Sequence, residues 1–283
     1  MSPAPSPGLR LVAVDAFTSV PFSGNGAAVV LLEQPAEDNW MQALAAELQQ
    51  SETAFLWLDG SRWRLRWFTP SCEVPLCGHA TLAAALALHH WGLLPLGSPL
   101  QLRAGDNSLR VEVISPGQAC IDLPAPALLP RKADGWMADL LGQPPLAQWT
   151  SALEYGVLLL RPEFELTALD PHHPSWRLGP EKAWVLMQAA AAPHDYQLRF
   201  FAPGLGLSED PVTGSAHALV APWWCEQLQR PSGEGWQPSH RPGGVHCEPL
   251  SSGMIRLRGS GVLVWDARLP WPPERLSVDR WRR

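Results

Sequence analysis

Trp63-Arg64-Leu65-Arg66-Trp67-Phe68-Thr69-Pro70, followed by Glu73-Val74-Pro75-Leu76-Cys77-Gly78-His79-Ala80-Thr81, has a rough copy later in the chain. The copy reads Tyr196-Gln197-Leu198-Arg199-Phe200-Phe201-Ala202-Pro203, followed by Glu209-Asp210-Pro211-Val212-Thr213-Gly214-Ser215-Ala216-His217. Pro70 and Pro203 are separated by nearly half of the 283 residues. Each copy is an alternating aromatic/basic strand, a proline turn, and a small-residue segment that opens an Ala/Leu-rich helix. A duplicated strand–turn–helix predicts two similar domains, each aiming a helix N-terminus at a shared point.

The length agrees with two domains of roughly 150 residues. At 46% hydrophobic and 17% charged residues, each half can bury its own core. The formal charge of −6 argues against nucleic acid or an anionic membrane as the main partner. The cluster Arg62/Arg64/Arg66 alternates along a strand and reads as a solvated strand face; a second basic cluster is Arg280/Arg282/Arg283. Five cysteines without a Cys-x-x-Cys pair point to reduced thiols and a cytoplasmic setting. Residues 1–8 read as a loose tail rather than a signal peptide. The most apolar runs, around 82–96 and 153–160, are too short or too interrupted to span a bilayer.

Working outward, Leu9–Phe17 alternates as a strand, Phe22-Ser23-Gly24-Asn25-Gly26 is a turn, and Ala27–Leu32 is an apolar run. Trp40, Leu44 and Leu48 mark an amphipathic helix over 37–50, and Asp59-Gly60-Ser61 joins strands 53–58 and 63–68 into a hairpin. The helix expected over 78–91 is apolar on nearly every face and belongs inside the protein. Strands follow near 100–104, 108–114 and 118–123, and Pro124–Pro130 is the linker candidate. The second half is read as a helix near 133–142, strands near 153–160 and 183–188, and the second strand–turn–helix ending near Gln229. Strands near 243–248, 254–258 and 261–268 complete it. The expected class is α+β, with residues 1–124 and 125–283 each wrapping a curved sheet around a helix, and with the last strand packing back on the first domain. Most of the 15 tryptophans, Trp63 and Trp67 among them, are read as core, while Trp271 and Trp281 read either as core or as a subunit contact.

Three places carry candidate chemistry. Glu52, in Gln50-Ser51-Glu52-Thr53-Ala54-Phe55, stands at a helix-to-strand junction before an apolar strand. A carboxylate drawn into apolar surroundings gains the pKa of a useful acid/base group; the plainer reading is a surface acid at a strand end. In Cys77-Gly78-His79-Ala80-Thr81, a glycine opens a helix whose free N–H groups suit an anion. His79 at that positive end is expected to stay neutral, as a hydrogen-bond partner, a proton relay or a simple cap. Asp210 is read as a cap or as a substrate contact, with Gly214 and Ser215 presenting a second set of N–H groups. Two such termini across a cleft suit one small anion. His89-His90 and His172-His173 are adjacent pairs that diverge rather than meet on a metal. Neither a Gly-Lys-Ser/Thr phosphate loop nor a Gly-x-Ser-x-Gly elbow occurs. Chemistry without metal or cofactor is expected.

Taken together, Asp15-Ala16-Phe17, Phe22-Ser23-Gly24-Asn25, Ser51-Glu52-Thr53-Ala54-Phe55, Arg66-Trp67-Phe68-Thr69-Pro70, Cys77-Gly78-His79-Ala80-Thr81 and Glu209-Asp210-Pro211-Val212-Thr213-Gly214-Ser215-Ala216 resemble the phenazine-biosynthesis PhzF-like family. The resemblance implies the diaminopimelate-epimerase-like fold, an active site in the interdomain cleft, a homodimer, and cofactor-free isomerisation of a small carboxylate. It puts the acid/base role on Glu52, support on His79 and Asp210, and substrate contacts on Gly78, Gly214 and Ser215. Three departures stand out. Gly26 replaces a common proline, Pro242 interrupts Arg241–Gly243, and only the first half has a cysteine, Cys77, where related epimerases use one per half. An amino-acid epimerase using Cys77 and a carboxylate, and a non-catalytic metabolite-binding protein, are the competing readings.

Overall fold

A computed structural model of the chain describes residues 8–251, 253–270 and 273. The readings of residues 1–7, of Trp271 and Trp281, and of the basic cluster 280–283 fall outside them. The described residues form two compact units: one comprises 8–22, 26–121 and 260–270, the other 23–25, 122–251 and 253–259.

In the first unit the strands are β1 (Leu9–Ala16), β2 (Asn25–Leu31), β3 (Glu52–Asp59), β4 (Arg62–Phe68), β5 (Glu73–Val74), β6 (Leu100–Ala104), β7 (Asn107–Ser115) and β8 (Gln118–Pro124). Helix α1 (Asp38–Leu48) carries the parallel crossover from β2 to β3, and α2 (Gly78–His90) carries the one from β4 to β6. Between these, β3 and β4 are an antiparallel hairpin, as are β6 and β7. The last strand, β16 (Met254–Leu269), pairs with both β8 and β1, so the sheet closes on itself. Inside it lies α2, buried at every position from Gly78 to Leu88 and packed on β1, β3 and β7. Burying Leu82, Leu86 and Leu88 contributes on the order of 2 kcal/mol each. At Gly261 a Cβ would come within 2.5 Å of Leu86 Cδ1 and 3.2 Å of Val14 Cγ1, so a larger residue there would push those core side chains aside.

The second unit repeats this order. After β9 (Leu129–Arg131), α3 (Gly135–Leu141) and β10 (Ala147–Thr150), strand β11 (Tyr155–Leu159) pairs parallel with β12 (Ala183–Ala189). Strand β13 (Tyr196–Phe201) is antiparallel to β12, and α4 (Gly214–Leu228) carries the parallel crossover to β14 (Gly233–Gln237). Strand β15 (Gly243–Leu250) then pairs with β14 and with the first part of β16. The sequence of parallel and antiparallel steps from β2 to β7 thus recurs from β11 to β15. Each unit is the expected curved sheet around a helix. Among the described residues, no helix is long and apolar enough to cross a membrane.

Two local expectations are corrected. The strands expected at 254–258 and 261–268 are one 16-residue strand, because Gly259 and Gly261 are held by ladders on either side rather than released into a turn. The linker candidate contains β9, whose Pro130 is accommodated because β9 is an edge strand. Strands β10 and β14 are too short and too polar to show alternation.

The duplicated strand carries a duplicated clamp. Arg66 lies over the Phe68 ring at 5.1 Å and pairs with both oxygens of Glu73 at 2.7 Å. Arg199 lies over Phe201 at 4.6 Å and pairs with both oxygens of Glu209, at 2.7 and 2.8 Å. Each pair fixes the turn that feeds a central helix, but their surroundings differ. Arg199 and Glu209 are 6% and 5% exposed, whereas Arg66 and Glu73 are 25% and 43% exposed. Arg199→Ala strands a buried carboxylate and is expected to cost about 3–5 kcal/mol, against about 1 kcal/mol or less for Arg66→Ala, by urea denaturation.

On α4, His217 is fully buried, with Nδ1 2.9 Å from the Tyr196 hydroxyl. Burial pushes its pKa from 6.5 down to about 3. Only the unfolded chain then takes up the proton, so His217 adds a stability loss as pH falls from 6.5 toward 3. In His217→Gln the stability–pH slope over this window becomes shallower than in the wild type; equal slopes would contradict the assignment.

Candidate active site

The N-terminus of α2 gathers three of the residues singled out in the sequence. Cys77 is the N-cap in extended backbone, without a side-chain cap bond, and Thr81 Oγ1 donates to the Cys77 carbonyl at 2.5 Å. One position into the helix, His79 lies with Nδ1 3.5 Å from Cys77 Sγ and Nε2 2.9 Å from Glu52 Oε2. Glu52 arrives as the first residue of β3, held by the parallel register Ala27↔Glu52. The His79 and Glu52 side chains are 5% and 13% exposed. Although Glu52 Oε2 is at ion-pair distance from His79, no donor is aligned on it, so a buried carboxylate oxygen keeps accepting capacity.

The expectation of a neutral His79 is corrected. Burial pushes the imidazolium pKa down, but its close neighbours Cys77 and Glu52 together outweigh it, and the net shift is well above 6.5. Burial, reinforced by the charge of Glu52, pushes the Cys77 thiol up to about 11. The thiol is therefore neutral at neutral pH, which leaves Glu52 as the counter-charge of His79. The surroundings of Glu52 are accordingly not the purely apolar ones expected, because His79 supplies a cation.

The N-terminus of α4 is built differently. Its N-cap, Thr213, stands where Cys77 stands in the first copy, again extended and without a side-chain cap bond. Asp210 lies upstream of this N-cap. Its Oδ1 accepts from Asn25 Nδ2 at 2.7 Å, its Oδ2 accepts from Thr213 Oγ1 at 2.5 Å, and its carbonyl accepts from Gln237 Nε2 at 2.6 Å. Gln237 Oε1 in turn accepts from the Thr213 N–H at 2.9 Å. Gly214 opens α4, and Ser215 Oγ lies 3.4 Å from the Tyr155 hydroxyl.

Asn25 stands in a turn and Gln237 in a short polar strand with no periodic signal, so neither role shows in the sequence. The Gly24-Asn25 turn is tied down by Arg241, which donates to the carbonyls of Ser23 and Gly24, both at 3.1 Å. Pro242 serves here through its carbonyl, which accepts from Ser23 Oγ and the Gly24 N–H. The position needs an acceptor and no N–H, so the inserted proline fits. The adjacent histidines have separate partners: His89 faces the Leu94 carbonyl, His90 faces Asp266, and His173 accepts from the Ser175 N–H.

With this geometry in view, comparison with known proteins places the chain. The sequence profile of the phenazine biosynthesis-like protein (PhzC–PhzF) family matches residues 14–267. The chain belongs to that family. It is 39% identical over 264 residues to "Uncharacterized isomerase PA3578" of Pseudomonas aeruginosa, covering 90% of this chain and 96% of that protein. A phenazine biosynthesis protein of the PhzF family from Enterococcus faecalis superposes with a TM-score of 0.84 at 29% identity, covering 92% and 98%. The "Predicted Epimerase PA4716" of Pseudomonas aeruginosa gives 0.72 at 25% identity, covering 92% and 99%. Family and neighbours support an isomerase- or epimerase-type role.

The ion pair at α2 is directly measurable. By NMR titration, the His79 ring is expected to lose its proton well above pH 6.5 in the wild type. In Glu52→Gln the midpoint drops, because burial then acts against a weaker counterweight. An unchanged midpoint would contradict the pairing.

Proposed function

We propose that the protein is a cofactor-independent isomerase that moves a proton between carbons of a small carboxylate, with Glu52 as the base. The observation that carries this reading is the buried Glu52 oxygen that lacks an aligned donor and lies against His79. A proton acceptor in a water-poor site needs a counter-charge, and an imidazolium beside it offsets the negative charge that develops on the substrate as the proton leaves. His79 therefore acts as a charge partner and proton relay. In this reading Asp210 is a substrate contact, and the N–H groups around Gly78, Gly214 and Ser215 are carboxylate contacts. The network of Asn25, Thr213 and Gln237 fixes Asp210 in one orientation. The same reading gives a cytoplasmic homodimer, and light scattering checks the dimer.

A second reading, an epimerase in which Cys77 joins the carboxylate, draws on the thiol's place beside His79. A thiol with a pKa near 11 is suited to donate a proton and is a poor base at neutral pH. Insensitivity of deuterium uptake to Cys77→Ser would remove it.

The test starts from a metabolite screen for a bound carboxylate. With that compound, Glu52→Gln keeps shape and binding but is expected to lower turnover by at least about a hundredfold. Turnover at the wild-type rate would refute the assignment.

A further inference from the structure

The trio at the start of α2 has a second chemical identity. Glu52, Cys77 and His79 each offer one ligand atom, and these atoms all lie within 4.8 Å of one another. Among the described residues, this is the one His/Cys/Asp/Glu group that converges in this way. Zinc bonds of about 2.0–2.3 Å in a tetrahedral arrangement put neighbouring ligand atoms roughly 3.3–3.6 Å apart. Here Sγ to Nε2 is 3.9 Å, Sγ to Nδ1 is 3.5 Å and Nε2 to Oε2 is 2.9 Å, so the three groups are already gathered and closing on one ion requires the Cys77 side chain or the imidazole ring to turn. The donor set is one thiol, one imidazole and one carboxylate. A soft-to-borderline divalent ion such as zinc prefers such a set, whereas magnesium and calcium prefer oxygen alone. The Glu52 oxygen without an aligned donor is an acceptor already in place, and its partial exposure gives the ion a way in.

We propose that Glu52, Cys77 and His79 form a binding site for zinc-like divalent ions, and that an ion held there silences the acid/base chemistry by occupying Glu52. Only the silencing rests on the isomerase reading; capture of the ion does not. Binding replaces the Cys77 S–H bond with a metal–sulfur bond and releases that proton to solvent, together with the second ring proton of His79. The site has three protein ligands at a positive helix end, which opposes a cation. It is therefore a reversible inhibitory site and not a permanent structural one.

Cobalt(II) is the probe, because a thiolate ligand produces a near-ultraviolet charge-transfer band. The reduced full-length protein is expected to show that band at one equivalent, to release protons on binding, and to lose the band when zinc is added. Cys77→Ser should abolish the band and weaken zinc binding at least tenfold, and Glu52→Gln should weaken it at least tenfold with the band retained. Replacing the exposed Cys72 by serine should change nothing. Circular dichroism confirms that each variant is folded, and the Glu52→Gln arm tests the site if Cys77→Ser is not. A cobalt complex without the band, a band that depends on Cys72, or zinc affinity unchanged in Glu52→Gln overturns the proposal. A protein that captures zinc but whose turnover ignores Glu52→Gln refutes the isomerase reading alone.

Discussion

A helix with no polar face has one stable place, inside a sheet wrapped around it. Eleven consecutive residues of α2, Gly78 to Leu88, are buried, and this constraint orders the rest of the first unit. The sheet must close, so β16 returns to pair with β1. It must also touch the helix, and Gly261 lets β16 lie close to Leu86. With its sides covered, the helix meets polar chemistry only at its ends. Cys77, His79 and Glu52 collect at the N-terminal end, where unpaired N–H groups are left. Site and core are thus two consequences of one apolar run.

Duplication explains the architecture better than it explains the chemistry. Both halves use an Arg stacked on an aromatic ring and paired with a Glu to set the turn before the central helix. Both end that turn on an extended, uncapped N-cap residue. From there they diverge. In the first half the helix start joins a thiol, an imidazole and a carboxylate from a neighbouring strand. In the second, the Asp210 carboxylate is held by an asparagine and a threonine, and its backbone carbonyl by a glutamine. The first arrangement suits proton transfer, and the second suits a fixed, unchanging contact.

Much of this was legible in the sequence, for physical reasons. The Ala/Leu run from Gly78 and the Asp59-Gly60-Ser61 hairpin carry strong periodic signals, and α2 and the β3–β4 pair appear where those signals lie. The motif around Glu52, Cys77 and His79 pointed to chemistry, yet the charge state of His79 was misread. A helix N-terminus is local and visible in sequence, whereas a carboxylate arriving from another strand is not. Gln237 and Asn25 were illegible as partners of Asp210 because their contacts depend on tertiary placement alone. The continuity of β16 was hidden by its glycines, which mark turns unless ladders on both sides hold them.

The central claim is that one residue, Glu52, both removes and returns the proton. Its most direct test is a single turnover in ordinary water, with the substrate deuterated at the carbon that loses its proton. A single carboxylate in a largely buried site predicts that a measurable fraction of the deuterium appears at the receiving carbon of the product, and that Glu52→Gln abolishes this transfer. Complete washout of the label, together with undiminished turnover in Glu52→Gln, would contradict the account.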